Sequence, residues 1–210
     1  KYNRFVVSGT YGNILDYIGA SKVNLIVPVN SCFDTKIDES VISTNSLHGK
    51  VIKFLYDNNL VSQTVLDKKI KSSLKEQGIS SVNIGNDVKK GGKSVGNYNR
   101  YPIGSTAFVD IGNVRYHFIA LSIIENNKNA VTNDQDYLTV LNAIVDNCFR
   151  NSNGNPIYLP LIGSGLSKLN YNHQQQLEFM VKYFMLRKTK LTSDVEIVIR
   201  KEDGDTISIL

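Results

Sequence analysis

The run Asn24-Leu-Ile-Val-Pro-Val-Asn30 is apolar on successive residues rather than on alternate ones. Strand side chains point to two faces in turn, so such a run needs cover on both. That is the position of a central strand in a sheet with helices above and below. PIYLPLI (156–162) has the same character, and DVEIVIR (194–200) reads as another central strand. RFVVSG (4–9) predicts a first strand, 106–124 predicts two strands about Gly112-Asn113, and TISIL (206–210) an edge strand. Helical periodicity fills the intervals. Over 46–58 it places Leu47, Val51, Phe54 and Leu55 on one face behind Ser46 as N-cap. Over 63–78 it aligns Leu66, Ile70 and Leu74, with Gly78 closing the helix. Further helices are predicted over 136–150, with Cys148 in its apolar face, and over 172–187. The Gly-, Lys- and Asn-rich segment 89–105 reads as loop, with KKGGK (89–93) solvated. The alternation predicts one domain over 1–210, an α/β three-layer sandwich (α/β/α) with a mixed central sheet.

Composition excludes several classes. At 41% hydrophobic and 20% charged residues the chain is an ordinary packed globular protein. No apolar run approaches the roughly 18 residues of a membrane span. The cysteines, Cys32 and Cys148, make no disulfide framework, which suits a reducing cytoplasm, and with the three histidines they show no metal-ligand spacing. No metal and no resident cofactor are expected. The net charge of +5 favours an anionic partner. An RNA-binding module would rest on that charge alone, because no aromatic platform accompanies it, and nucleic acid is not expected as a partner.

Ligands of open α/β sheets sit outside the carboxyl ends of the strands. Three such exits are polar and contain or adjoin glycine or small residues: Gly12-Asn13-Ile14, then Asn30-Ser31-Cys32-Phe33-Asp34, then Ile162-Gly163-Ser164-Gly165-Leu166-Ser167. Leu47, His48 and Gly49 at a helix start are added to this candidate site. Glycines let backbone N–H groups approach phosphate oxygens. There is no Gly-Lys-Ser/Thr of a nucleotide-hydrolysing P-loop. Several roles stay open at this level. Asn30 is a ribose contact or a strand-end cap. Phe33 walls the ligand or belongs to the core. Asp34 receives a positive ligand group or caps a turn. His48 serves a ligand or is a solvated loop residue. Cys32 reads as a packed rim residue.

GNI (12–14), IVPVNS (26–31), YPIGSTAF (101–108), YHFIALS (116–122) and LPLIGSGLSKL (159–169) fall in the order and rough spacing of macro-domain motifs. The chain resembles that family over nearly its whole length. With PVNSCFDT and NSLHGK it is most similar to the macro domain of type II Thoeris antiphage systems. The resemblance implies ADP-ribose or an ADP-ribose conjugate as ligand, with Gly163-Ser164-Gly165 around the diphosphate and Asn13 at the adenine position. It implies a nucleotide signal made from NAD by a TIR-domain enzyme, a histidine conjugate of ADP-ribose, as the input to an antiphage effector. It also implies a cytoplasmic domain of a longer protein anchored in the bacterial inner membrane by segments outside this chain, and leaves room for a homo-oligomer.

The departures favour binding over catalysis. Asn13 stands where the family has Asp, and the second Asn of hydrolytic members is unmatched, with Cys32-Phe33 in its place. No catalytic residue is assigned, and an ADP-ribosyl hydrolase, for which Asp34 and Asn45 are the candidates, is the runner-up. The insertion 36–50 carries Asp38, Glu39, Asn45 and His48 where the distal ribose should project. These polar groups are expected to await a conjugated amino acid, and ligand is expected to order the insertion.

Overall fold

Strands form where the apolar runs lie, and the sheet they build fixes where the site must be. The computed structural model describes residues 5–19, 21–86, 93–124, 132–163 and 171–209. Its strands are β1 (Val7–Tyr11), β2 (Val23–Asn30), β3 (Val82–Asn83), β4 (Asn99–Arg100), β5 (Thr106–Ile111), β6 (Val114–Ser122), β7 (Ile157–Pro160) and β8 (Val195–Ile199). Six of them form one sheet in the order β1-β8-β7-β2-β6-β5. Every pairing is parallel except that of β5 with β6, so the sheet is mixed.

Both faces are covered, as the unbroken apolar run of β2 requires. Leu25, Val27 and Val29 pack with Val51, Ile52 and Leu55 of α1 (Leu47–Asp57) and with Leu66, Ile70 and Leu74 of α2 (Gln63–Glu76). Ile26, Ile157, Leu159 and Ile197 pack on the other side with Val140 and Leu141 of α3 (Asp134–Ala143) and Met180 and Phe184 of α4 (His173–Leu186). Burying these side chains drives the three-layer packing, at roughly 1.5–3 kcal/mol for each large aliphatic or aromatic group. The helix starts follow the expected chemistry. Ser46 accepts from the Gly49 N–H, Ser62 from Val65 and Asn133 from Asp136, while Asn172 and Gln175 form a reciprocal capping box. Gly78 takes φ +69 just beyond α2.

Four local expectations are corrected. The first strand, expected over 4–9, leaves out Phe5 and Val6, begins at Val7 among the described residues and extends to Tyr11, in register with Ile199 of β8, while residue 4 lies outside the described part. The α3 helix begins at Asp134 and passes into a π-helical turn over Ile144–Cys148. The tail at 206–209 forms no strand. The Thr206 and Ile207 N–H groups donate to the Asp203 carbonyl, the Tyr11 hydroxyl donates to the Ile207 carbonyl, and the Ser208 N–H to Gln174 Oε1 at 2.7 Å. The segment 89–105 is not all loop, because Asn99–Arg100 pairs antiparallel with Val82–Asn83.

The lysine run also departs from its solvated reading. Residues 89–92 lie outside the described part, but Lys93 is fully buried and its Nζ lies 2.5 Å from Asp34 Oδ2, also fully buried. The other carboxylate oxygen, Oδ1, accepts from the Asn97 N–H at 2.6 Å. Gly96 passes so close that a Cβ there would stand 2.1 Å from Asp34 Oδ1, and its φ is +87. Asn97 continues the network, donating through Nδ2 to the Phe33 carbonyl and to Asp67 Oδ1 of α2. Burial pushes the Asp34 carboxyl above its usual range, and the Lys93 ammonium pulls against it. Removing one partner strands the other as a buried charge. Lys93→Met is therefore expected to lower stability by about 3–5 kcal/mol, and Lys93→Met with Asp34→Leu to recover much of the loss. Urea denaturation of the three proteins checks this, and a Lys93→Met protein as stable as its parent contradicts it.

Candidate functional site

Five parallel strands, β1, β8, β7, β2 and β6, end on the same rim. A cleft of about 870 Å³ opens there. That is the place a doubly covered sheet offers a ligand, and its volume suits a dinucleotide-sized molecule. Its walls are Gly12–Asp16 after β1, Pro28–Asn30 at the end of β2, residues 39–43, 45–48 and Lys50, then Leu121, Ser122 and Ile124 after β6, Pro160–Gly163 after β7, and Val198 with Arg200–Asp203 after β8.

The expected exits do converge. Gly12, Asn13 and Ile14 line one end. The Gly12 N–H donates to the Ile199 carbonyl at 2.8 Å, which holds the β1 exit against β8. Asn13 Oδ1 accepts from the Leu15 N–H at 3.1 Å and caps a short 3-10 turn over Ile14–Tyr17. Ile162 and Gly163 line the wall as β7 ends, and Gly163 has φ +87, a conformation that favours glycine. Ser164, Gly165, Leu166 and Ser167 lie outside the described residues.

The Asn30–Asp34 stretch divides. Asn30 lines the cleft, but its side chain is engaged as a strand-end cap: Oδ1 accepts from the Cys32 N–H at 3.1 Å, and Nδ2 donates to the Val41 carbonyl at 3.2 Å. Ser31, Cys32, Phe33 and Asp34 are buried behind the wall and do not line it. Phe33 has φ 50 and packs edge-on to Tyr101 at 5.5 Å. Burial pushes the Cys32 thiol up, against the pull of Lys93 beside it. Asp34, read as a receiver of a positive ligand group, receives Lys93 instead.

Leu47 and His48 line the opposite end, while Gly49 does not. The Gly49 N–H is committed to Ser46 Oγ at 3.0 Å. A Cβ at Gly49 would stand 2.2 Å from the Ser43 carbonyl oxygen, so the glycine is there because the insertion's backbone crosses the start of α1. The insertion is itself folded. Asp38 and Ile42 form a bridge, and Val41 and Ile42 pack on Ile124 and Val95. Its acidic groups do not wait unpaired. Asp38 Oδ1 accepts from the Ser40 N–H and hydroxyl, and Glu39 Oε1 from the Thr44 N–H at 3.0 Å and hydroxyl at 2.8 Å. Those donors hold both carboxyls below the usual range, so they are ionised, and Glu39 stands in the cleft wall.

Arg200, Lys201, Glu202 and Asp203 line the cleft and were absent from the sequence-derived site. They follow β8, and the same carboxyl-end rule points to them. His117, away from the cleft, is buried in β6 with Nε2 2.9 Å from Asn24 Oδ1. His173 is partly exposed, near Asp203. Among the described residues no cluster of His, Cys, Asp or Glu could hold a metal ion, and no helix is long and apolar enough to cross a membrane.

Burial holds His48 at about 4 and His117 at about 3, so both imidazoles are neutral in the fold. The Asp34 backbone beside His48 offsets only part of this effect. Both values lie below that of an unfolded histidine, near 6.5. The unfolded chain therefore binds protons first, and stability that is complete above about pH 6.5 is lost as pH falls toward 4. Each histidine contributes about 1.4 kcal/mol per pH unit in that window. His48→Gln is expected to remove about half of this slope between pH 6 and 5. Denaturation series at both pH values measure it, and an unchanged slope would exclude a buried neutral His48.

The family description "Thoeris protein ThsA, Macro domain" matches this chain over residues 7–200. The Thoeris protein ThsA of Bacillus amyloliquefaciens (strain Y2) is 25% identical over 188 residues, covering 87% of this chain and 59% of that protein. The chain thus spans less than two thirds of the length of this curated relative.

Proposed function

Because the chain belongs to the macro-domain family of the Thoeris protein ThsA, we propose that its cleft is the receptor site of an ADP-ribose-type signalling nucleotide and acts by binding rather than by turnover. One observation carries this reading: five parallel strand ends meet at a cleft of about 870 Å³ into which β7 delivers Gly163 at φ +87, across from the Gly12–Ile14 exit. The diphosphate is assigned to the backbone N–H groups of the exit that starts at Gly163. The adenosine is assigned to the end lined by Asn13 and Arg200. The distal ribose, with any group on it, is assigned to the end lined by Ser122 and the insertion.

Catalysis has little support in the described rim. Cys32 is buried with its thiol held protonated, Asp34 is tied to Lys93, and the Asn30 amide is engaged in capping. In the proposed role the chain senses a nucleotide made from NAD by a TIR-domain enzyme and passes the signal to an antiphage effector. Membrane attachment, where it exists, would come from segments outside this chain. Calorimetry against ADP-ribose, its histidine conjugate and NAD tests the reading, with mass spectrometry of the recovered ligand. We expect saturable binding and intact ligand. Gly163→Val, if folded, should lose affinity by roughly two or three charge-assisted hydrogen bonds. Steady cleavage of the conjugate would replace the sensor with a hydrolase.

The distal wall supports selectivity for a conjugate, on grounds other than unpaired groups. Glu39 is held ionised at the cleft wall, a fixed negative charge suited to the amine or imidazolium of an attached amino acid. The histidine conjugate is expected to bind at least about tenfold more tightly than ADP-ribose, as one charged hydrogen bond implies. Glu39→Gln should erase that ratio while leaving ADP-ribose affinity within about twofold. Parallel titrations read both numbers, and a ratio that survives Glu39→Gln removes the assignment.

A further inference from the structure

We propose that Arg200 is the surface on which this cleft stacks the base of its nucleotide, an inference that rests on the nucleotide-binding function above. No Phe, Tyr or Trp lines the cleft among the described residues. The stretches 125–131 and 164–170, which follow β6 and the β7 exit in the chain, contain none either. A nucleobase held in protein ordinarily finds an aromatic ring or an arginine plane for its π-face. His48 is the only aromatic ring in the described wall, and it is buried at the insertion end.

Arg200 is the planar group at the other end, and its edges are already occupied. Nε donates to Asp203 Oδ2 at 2.8 Å and Nη2 to Asp203 Oδ1 at 3.0 Å, while Nη1 lies 3.1 Å from Glu202 Oε1. A guanidinium with three of its five N–H groups on two carboxylates has its charge offset, which makes it a weaker phosphate ligand than a free arginine. What remains is its flat face. The side chain is 51% exposed and stands in the cleft wall, and the bidentate grip fixes the orientation of the plane. Asp203 is anchored in turn by the tight turn over Lys201–Asp203 and lies 3.6 Å from His173 at the start of α4. Ile14 and Val198, apolar and buried, line the same cleft and offer apolar contact to a base. Asn13 lies at the same end with Oδ1 used by Leu15, which leaves its NH2 to donate to a ring nitrogen. The ligand group that fits is a purine, face-on to Arg200 and edge-on to Asn13.

The test uses the whole chain with Arg200→Ala and Arg200→Lys, titrated with AMP and ADP-ribose by calorimetry. The change in the adenine absorption band on binding is recorded alongside. Both variants are expected to bind each nucleotide on the order of tenfold more weakly, with the absorption change reduced, since a lysine keeps the charge but has no planar face. Recovery of affinity in Arg200→Lys would assign the residue to charge and overturn the proposal. So would parental affinity in Arg200→Ala. A parent protein that binds neither nucleotide would overturn the functional reading itself, and parental binding with indifferent variants overturns only the stacking role.

Discussion

The buried pair of Asp34 and Lys93 fixes the rim behind the cleft. Two opposite charges without solvent are expensive to separate, yet such a pair is not on balance more stabilising than apolar side chains of the same shape. Its value lies in position. Through its carboxylate Asp34 holds Lys93 and the Asn97 backbone, and its own backbone lies beside His48. Asn97 extends the tie to Phe33 and to Asp67 on α2. One residue at the exit of β2 thereby locates the β3–β4 side, the second helix and the insertion relative to one another.

The cleft's electrostatics do not follow from the chain's net charge. The described lining carries four acidic residues, Asp16, Glu39, Glu202 and Asp203, against three basic ones, Lys50, Arg200 and Lys201. Arg200 offsets the charge of Glu202 and Asp203, while Thr44 orients the Glu39 carboxylate and keeps it ionised. An anionic ligand must therefore be met chiefly by oriented backbone amides at the glycine-bearing exits, which act at short range and are little screened by salt.

The sheet, its four flanking helices and the convergence of three exits were legible because they depend on periodicity and on caps, which are local. The expected residues nearest the strand ends, from Gly12 to Ile14, with Asn30, Ile162 and Gly163, all reach the cleft. What escaped reading depends on pairing across the chain. Lys93 sits in a Gly- and Lys-rich run of the kind that normally means solvent, and only its partner 59 residues earlier explains its burial. Arg200 looks like an ordinary charged residue ending a strand until Asp203 folds back on it. Asp38 and Glu39 look available until Ser40 and Thr44, inside the same insertion, satisfy them. Gly49 looked like a ligand amide, and its reason is a backbone crossing that no pattern shows.

The position of β8 has a consequence for how the chain acquires its shape. It lies between β1 and β7, so Val7 pairs with Val195, and among the described residues the first strand has no other neighbour in the sheet. A chain synthesised only as far as residue 190 holds four of the five parallel strands but cannot seat the first. Pairings this distant in sequence slow folding, because the loop entropy must be overcome before the contact forms. The half of the pocket built from Gly12–Asp16 and Arg200–Asp203 is thus assembled last. A chain cut short before β8 would lack that half of the pocket.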